Sequence, residues 1–373
     1  MSFPNPIIDN IGPAQLVLGP MLKRRHRGFD MYDGHGRATR FCHDKTNTLV
    51  TLPMSPHIDD LTPEMRGGAG ISLDEPALYA GLTNSQFGFV ILQSLGRLWA
   101  CDDLPKETRL LYVSKLRPSK VLPLLRMFLG WLGIENTPIC VQGNMQLAQA
   151  YTCPSLFGET YGGRASPAFG DWLQTRLPPA PDMVAGRKLY VTRTRLGPHS
   201  GRIACEQHLE DLLLRDGFDA FAPEEHSLEQ QTEAYRQAEV LVFSEGSAQH
   251  FYGLVKRPGQ RVVIIQRRPE VPMLIQNQIV AINAEPVTYI NAIEKLHWRL
   301  ERADNGGICQ LDFDQLRSQL IAAGVLSAKA KWSAPTADEV VASIHDGLPA
   351  GGRMYASAAE AAAARAALSA SFR

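Results

Sequence analysis

Runs of four to six apolar residues alternate along the chain with stretches whose apolar positions recur every three or four residues. The first pattern suits buried strands and the second amphipathic helices. The alternation is most regular from about Arg187 to Asn283. It predicts a strand at Lys188 to Thr192, a helix from about Ala204 to Arg215 closed by Gly217, and a strand at Phe218 to Ala222. A helix at Leu228 to Ala238, a strand at Glu239 to Phe243, and strands at Arg261 to Gln266 and Gln278 to Asn283 follow. Leu209, Leu212 and Leu213 fall on one helical face, and Ser227 with Gln230 has the spacing of a capping box. Alternating elements of this length imply an α/β fold with a doubly wound parallel sheet.

The N-terminal half reads as α/β as well. Strands are expected at Ala77 to Ala80, Arg109 to Val113 and Pro138 to Val141. One helix, capped by Asn84 or Ser85, is expected to run to about Trp99, and a second from Ser119 to Trp131, ended near Gly133. The first sixty residues, rich in Pro, Gly and polar side chains, offer little beyond a strand at Thr48 to Leu52. Leu177-Pro178-Pro179-Ala180-Pro181 cannot continue a helix and marks a domain boundary. The expected domains are therefore 1–180, 181–345 and an Ala-rich helical tail at 346–373, densest from Ala356 to Ser371.

Composition narrows the class. The 373 residues suit two domains facing one cleft, and 45% hydrophobic with 20% charged residues is ordinary for a globular protein. Lys plus Arg and Asp plus Glu are both 38, so no global basic field exists to hold nucleic acid. The longest apolar run, near Phe87 to Leu92, is far short of the roughly 20 residues a spanning helix needs. A cytoplasmic protein is expected. The six cysteines, Cys42, Cys101, Cys140, Cys153, Cys205 and Cys309, form no CxxC pair and read as reduced core residues.

Glu239 to Ala248 reads as a buried strand, a tight turn at Glu245-Gly246-Ser247 and the start of a helix. Amides at such a helix N-terminus point at an anion, and the turn must lie at the carboxyl edge of the sheet. Thr192-Arg193-Thr194-Arg195 brings two guanidinium groups to the same edge, followed by the loop Gly197 to Arg202. Arg193, Arg195, Arg202, Gly246 and Ser247 are the candidate diphosphate ligands, and Glu224, after the second strand, suits ribose hydroxyls. Glu245 and His250 are the candidates for proton transfer, with Asp30, Asp33 and His35 as further carboxylate and imidazole groups in a Gly-rich loop. Solvated turn residues and a plain helix start account for the same positions without function.

Asp312-Phe313-Asp314 has the form of a metal-binding pair, but it precedes a helix-like run and reads as helix-start acids, so no metal and no cofactor are expected. Lys23-Arg24-Arg25-His26-Arg27 is either a solvated basic segment or a contact for an anionic membrane or glycan. Arg193-Thr194-Arg195-Leu196-Gly197 lacks the G-x-G-x-x-G pattern, which disfavours a dehydrogenase.

Lys188 to Arg195, Gly217-Phe218, Pro223-Glu224, Ser227 to Gln230 and Glu245 to Ala248, in that order and spacing, resemble glycosyltransferase family 61. Phe87-Gly88 and Gly96-Arg97-Leu98-Trp99 extend the resemblance into the N-terminal half. It implies two Rossmann-like domains of the GT-B kind and inverting transfer from a nucleotide sugar to a glycan or glycolipid acceptor, often for surface or capsular polysaccharide. The chain departs from the family at Phe89, where a histidine is common. Two readings result: an inverting, metal-independent glycosyltransferase, peripheral to the membrane if the basic run binds lipid, or a glycan- or partner-binding pseudoenzyme of the same fold. Oligomeric state is not legible.

Overall fold

The computed structural model describes residues 3–21, 27–35, 37–43, 70–197, 201–299, 307–346, 348, 353–355, 357 and 359–364. The strand expected at Thr48 to Leu52, Lys23 to His26 of the basic run, and most of the Ala-rich tail lie outside them. The chain forms two compact units, Met1–Pro179 with Met273–Ile282, and Ala180–Pro272 with Asn283–Arg373.

The first unit is built on strands β1 (Asp9–Met21), β2 (Arg27–Asp33), β3 (Ala38–His43), β4 (Ile71–Leu73), β5 (Ala77–Leu82), β6 (Arg109–Val113), β7 (Pro138–Val141) and β8 (Met145–Thr152). They form one sheet in the order β3-β2-β1-β8-β5-β6-β7, with β4 also paired to β8. β8, β5, β6 and β7 run parallel, and β1 to β3 extend that core antiparallel. Helices α1 (Phe87–Ser94), α2 (Pro118–Trp131) and α3 (Pro167–Arg176) accompany it. β5 and β6 are buried almost throughout, as parallel strands covered on both faces are.

The helix expected to reach Trp99 stops at Ser94 and resumes as a short 3-10 turn, Leu98–Asp102. Gly96, within the gap, admits a close backbone approach, since a Cβ there would meet the Phe157 carbonyl oxygen at 2.5 Å. Next to it the fully buried Arg97 donates from Nε to the Cys153 carbonyl at 2.9 Å and lies 4.9 Å from the Tyr79 ring centre. Trp99 donates from its indole to the Pro154 carbonyl at 3.2 Å. The Gly96-Arg97-Leu98-Trp99 run is thus an internal anchor of this unit.

The strand expected at Gln278 to Asn283 is wrong: Met273–Ile279 is a helix. Short apolar runs do not separate strand from helix by periodicity. Here the helix packs on a glycine pair of the first unit. Asn277 donates from Nδ2 to the Gly162 carbonyl at 2.9 Å, and a Cβ on Gly163 would fall 3.0 Å from the Gln278 nitrogen.

The second unit contains β9 (Val184–Val191), β10 (Arg202–Ile203), α4 (Glu206–Arg215), β11 (Phe218–Phe221), α5 (Leu228–Gln237), β12 (Ala238–Ser244), α6 (Ala248–Val255), β13 (Arg261–Ile265) and β14 (Thr288–Ile290). Its five-stranded sheet has the order β11-β9-β12-β13-β14 and is parallel throughout. Strand order therefore reverses between β9 and β12, which places a crevice at their carboxyl ends. Leu209, Leu212 and Leu213 pack with Tyr190, Val240, Val242 and Val263 in one buried cluster. Ser227 and Gln230 make the expected capping box. A second sheet, β10 with β15 (Ile293–Arg299), β16 (Ile308–Leu311) and β17 (Met354–Tyr355), has no counterpart in the sequence expectations. Among the described residues no helix is long and apolar enough to cross a membrane.

Candidate functional site

β9 ends at Val191, so Thr192 and Arg193 leave the sheet where the strand order reverses. α4 begins only at Glu206, because Cys205 before it takes a left-handed conformation with φ 55°. That start brings the Glu206 carboxylate under the loop, where Oε1 accepts the Arg193 amide at 2.9 Å and the Tyr190 hydroxyl at 3.2 Å. The Arg193 side chain then turns toward β12, and its Nη2 donates to the Gly201 carbonyl at 2.8 Å.

Gly246 follows the neighbouring strand β12, directly beneath this guanidinium. A Cβ at position 246 would lie 3.1 Å from the Arg193 Cζ and 3.2 Å from its Cδ. Ser247, exposed, precedes α6 and makes no side-chain cap to it. At this helix start the His250 amide turns back to the Ser247 carbonyl at 3.1 Å, and the positive end of the helix dipole lies beside the Arg193 cation.

Arg267 and Arg268, absent from the sequence expectations, stand at the same sheet edge. They follow β13, the strand next to β12. Glu245 holds both. Its side chain is wholly buried, Oε2 accepts the Arg267 amide at 2.9 Å, and its carbonyl accepts Arg267 Nε at 3.0 Å. Oε1 takes Arg268 Nε at 2.5 Å and an ion pair with the same guanidinium. Burial, and next the like charge of Arg193, pull the Arg267 guanidinium down to about 10. Burial also lowers Arg193, against the charges of Glu206, Glu224 and Glu245. The missed signal was positional: Gln266-Arg267-Arg268 leaves an apolar strand at the same sheet edge as Thr192-Arg193.

The other expected ligands are engaged elsewhere in the unit. Arg195 pairs with Glu210 at 3.5 Å and donates to Gln207 Oε1 at 3.3 Å, which lays it along α4. Arg202 donates to the Ser343 carbonyl at 2.7 Å and pairs with Asp346 at 3.0 Å. Arg193 and Arg202 both line a cavity of 480 Å³ with Thr194, Gln207, His208 and Glu339. Glu224 is exposed in the one-turn helix Pro223–Glu225. His250 is buried in the first turn of α6.

Of the remaining candidates, Asp33 closes a turn in the first unit, its Oδ1 accepting the amides of His35 and Arg37 at 2.9 Å. Asp312 caps the helix Phe313–Ala322 by accepting the Gln315 amide at 2.9 Å. Among the described residues no group of three or more His, Cys, Asp or Glu is placed to share a metal ion. Cys101, Cys140, Cys153, Cys205 and Cys309 are free.

Arg193, Gly246 and the start of α6 thus stand at the reversal point of a parallel sheet, where open α/β sheets bind their ligands. The family model of glycosyltransferase 61 matches residues 41–269, more than half of the chain. The chain belongs to glycosyltransferase family 61. The match takes in Arg193, Glu245, Gly246, Arg267 and Arg268. No curated protein matches the chain significantly.

Proposed function

We propose that the chain is an inverting, metal-independent glycosyltransferase that takes a hexosyl or pentosyl group from a nucleoside-diphosphate sugar. The acceptor is a glycan or glycolipid, and the product serves surface or capsular polysaccharide synthesis in the cytoplasm or at the inner membrane face. The observation that carries the reading is the Arg193 guanidinium over Gly246 where the strand order reverses, with Arg267 held by Glu245 at the end of the next strand.

Sugar transfer from such a donor breaks the bond between the anomeric carbon and the diphosphate, and negative charge grows on the departing oxygen. Fixed cations and helix amides aimed at that oxygen favour the transition state over the ground state. Arg193, Arg267 and the amides of Gly246 and Ser247 fill that role without a metal ion. Inversion also needs a base for the acceptor hydroxyl. Both Glu245 oxygens are occupied by Arg267 and Arg268, so we assign Glu245 to holding the arginines and retain His250 for proton transfer.

Calorimetric titration with UDP and GDP, in the presence of EDTA, tests this. Wild type should bind one of them, and Arg193→Ala should weaken binding at least about tenfold, the usual range for a charge-assisted bond. Absence of binding to wild type with both nucleotides would remove the donor-site reading. The second reading, a binding protein without turnover, is favoured by half-buried Phe89 in α1, where the family resemblance implies a histidine. Hydrolysis or transfer of the sugar by purified protein would exclude it.

A further inference from the structure

The loop between β9 and α4 is fastened from below by two buried glutamates one helical turn apart, Glu206 and Glu210. Glu210 takes the side chains of the loop: the Thr194 hydroxyl at 2.8 Å and the Arg195 guanidinium at 3.5 Å. Glu206 takes its backbone. One oxygen of Glu206 receives both the Arg193 amide and the hydroxyl of Tyr190, a fully buried residue of β9. That single atom ties the end of a central strand, the first loop amide and the first turn of α4 together.

We propose that Glu206 is a positioning residue of the diphosphate site, which fixes the backbone of Arg193 so that its guanidinium lies over Gly246. The proposal rests on the reading of that site as the donor diphosphate site. The Arg193 side chain reaches Gly246 from a loop, not from a strand, and a free loop would let a long side chain sample many rotamers. Removing that freedom before the ligand arrives is what makes a charged group useful to a transition state. Glu206 does so from the N-terminal turn of α4, where the helix dipole favours a carboxylate. Burial pushes the Glu206 carboxyl up, while the amide and charge of Arg193 pull it down. A carboxylate held at 6% exposure serves packing poorly, since an apolar side chain would avoid its desolvation.

A double-mutant cycle separates positioning from bulk stability. UDP and GDP are titrated into wild type, Arg193→Ala, Glu206→Ala, Glu206→Gln and Arg193→Ala/Glu206→Ala. Glu206→Ala should lose about tenfold in affinity, and Glu206→Gln, which keeps an acceptor oxygen for the amide, should stay within about threefold of wild type. In the Arg193→Ala background, Glu206→Ala should change affinity by less than about twofold, because the loss runs through the arginine. Should Glu206→Ala not fold, Glu206→Asp takes its place: it keeps the charge, falls one methylene short, and should show the same coupling to Arg193. Equal losses in both backgrounds, or a Gln variant as weak as the Ala variant, overturn the positioning role while leaving the donor site intact. If Arg193→Ala itself binds as wild type does, the site reading fails instead.

Discussion

The Arg193 guanidinium occupies the space that a side chain on Gly246 would fill, with Cζ 3.1 Å from the position of a Cβ there. The backbone of residue 246 is not left-handed, so what the site requires of glycine is room. Because the obstacle is the far end of a flexible side chain, Gly246→Ala should fold normally and displace the arginine. Binding of UDP or GDP should weaken about tenfold, with the melting temperature within about 2 °C of wild type. Unchanged affinity, measured by calorimetry, would separate Arg193 from the ligand.

Glu245 is wholly buried and pairs with Arg268 while accepting the Arg267 amide. Removing one partner of a buried ion pair leaves an uncompensated charge and costs about 3 to 5 kcal/mol. Glu245→Ala should lower the unfolding free energy by that order in urea, and nucleotide affinity with it. A surface-like loss below about 1 kcal/mol would mean that the clamp is not maintained in solution.

Asp312 accepts the Gln315 amide as the cap of Phe313–Ala322, so Asp312→Ala should cost about 1 kcal/mol of stability. Transferase activity should be the same for variant and wild type across a Mn²⁺ titration. An activity loss that excess Mn²⁺ restores would instead assign Asp312 to a metal.

Lys256, after α6, donates to the carbonyls of Asn283, at 3.4 Å, and Glu285. Burial lowers its pKa from 10.5 to about 8, against the charge of Glu285. Between those values the folded lysine is neutral while the unfolded one is charged, so the unfolded state binds more protons. The unfolding free energy contributed by this group is therefore lowest below about pH 8 and rises toward pH 10.5. The difference in urea midpoint between wild type and Lys256→Met should rise in favour of wild type across that window. A constant difference would contradict the shifted pKa.

Elements whose signals are local were legible. The strands β6 and β13 and the helix α2 follow from runs of apolar residues and their spacing, and α2 ends where Gly133 takes a positive φ. The capping box of Ser227 and Gln230 and the cap at Asp312 depend on residues three apart. The strand expected at Gln278 to Asn283 fails because Gln278 and Ile279 close the helix Met273–Ile279 and the residues after them form a turn, an outcome a short apolar run does not specify. The long strand β1 escaped because Gly12 and a register shift interrupt its pattern.

A buried strand, a glycine turn and a helix start at one sheet edge, with Arg193 close by, are legible in Glu239 to Ala248 and Thr192 to Arg195 alone. Those relations follow from alternation over a few residues and from the order of elements. How each arginine is used depends instead on what the folded chain packs beside it. Arg195 lies along α4, Arg202 is bound to Ser343 and Asp346, and Arg267 and Arg268 enter the site on Glu245. The physical reason is that a charged side chain takes the partner that packing brings within reach, and Glu245 and Arg267 are 22 positions apart in the chain. Periodicity carries information over a helical turn or a strand, whereas the choice of ion pair is made by β12 and β13 lying side by side.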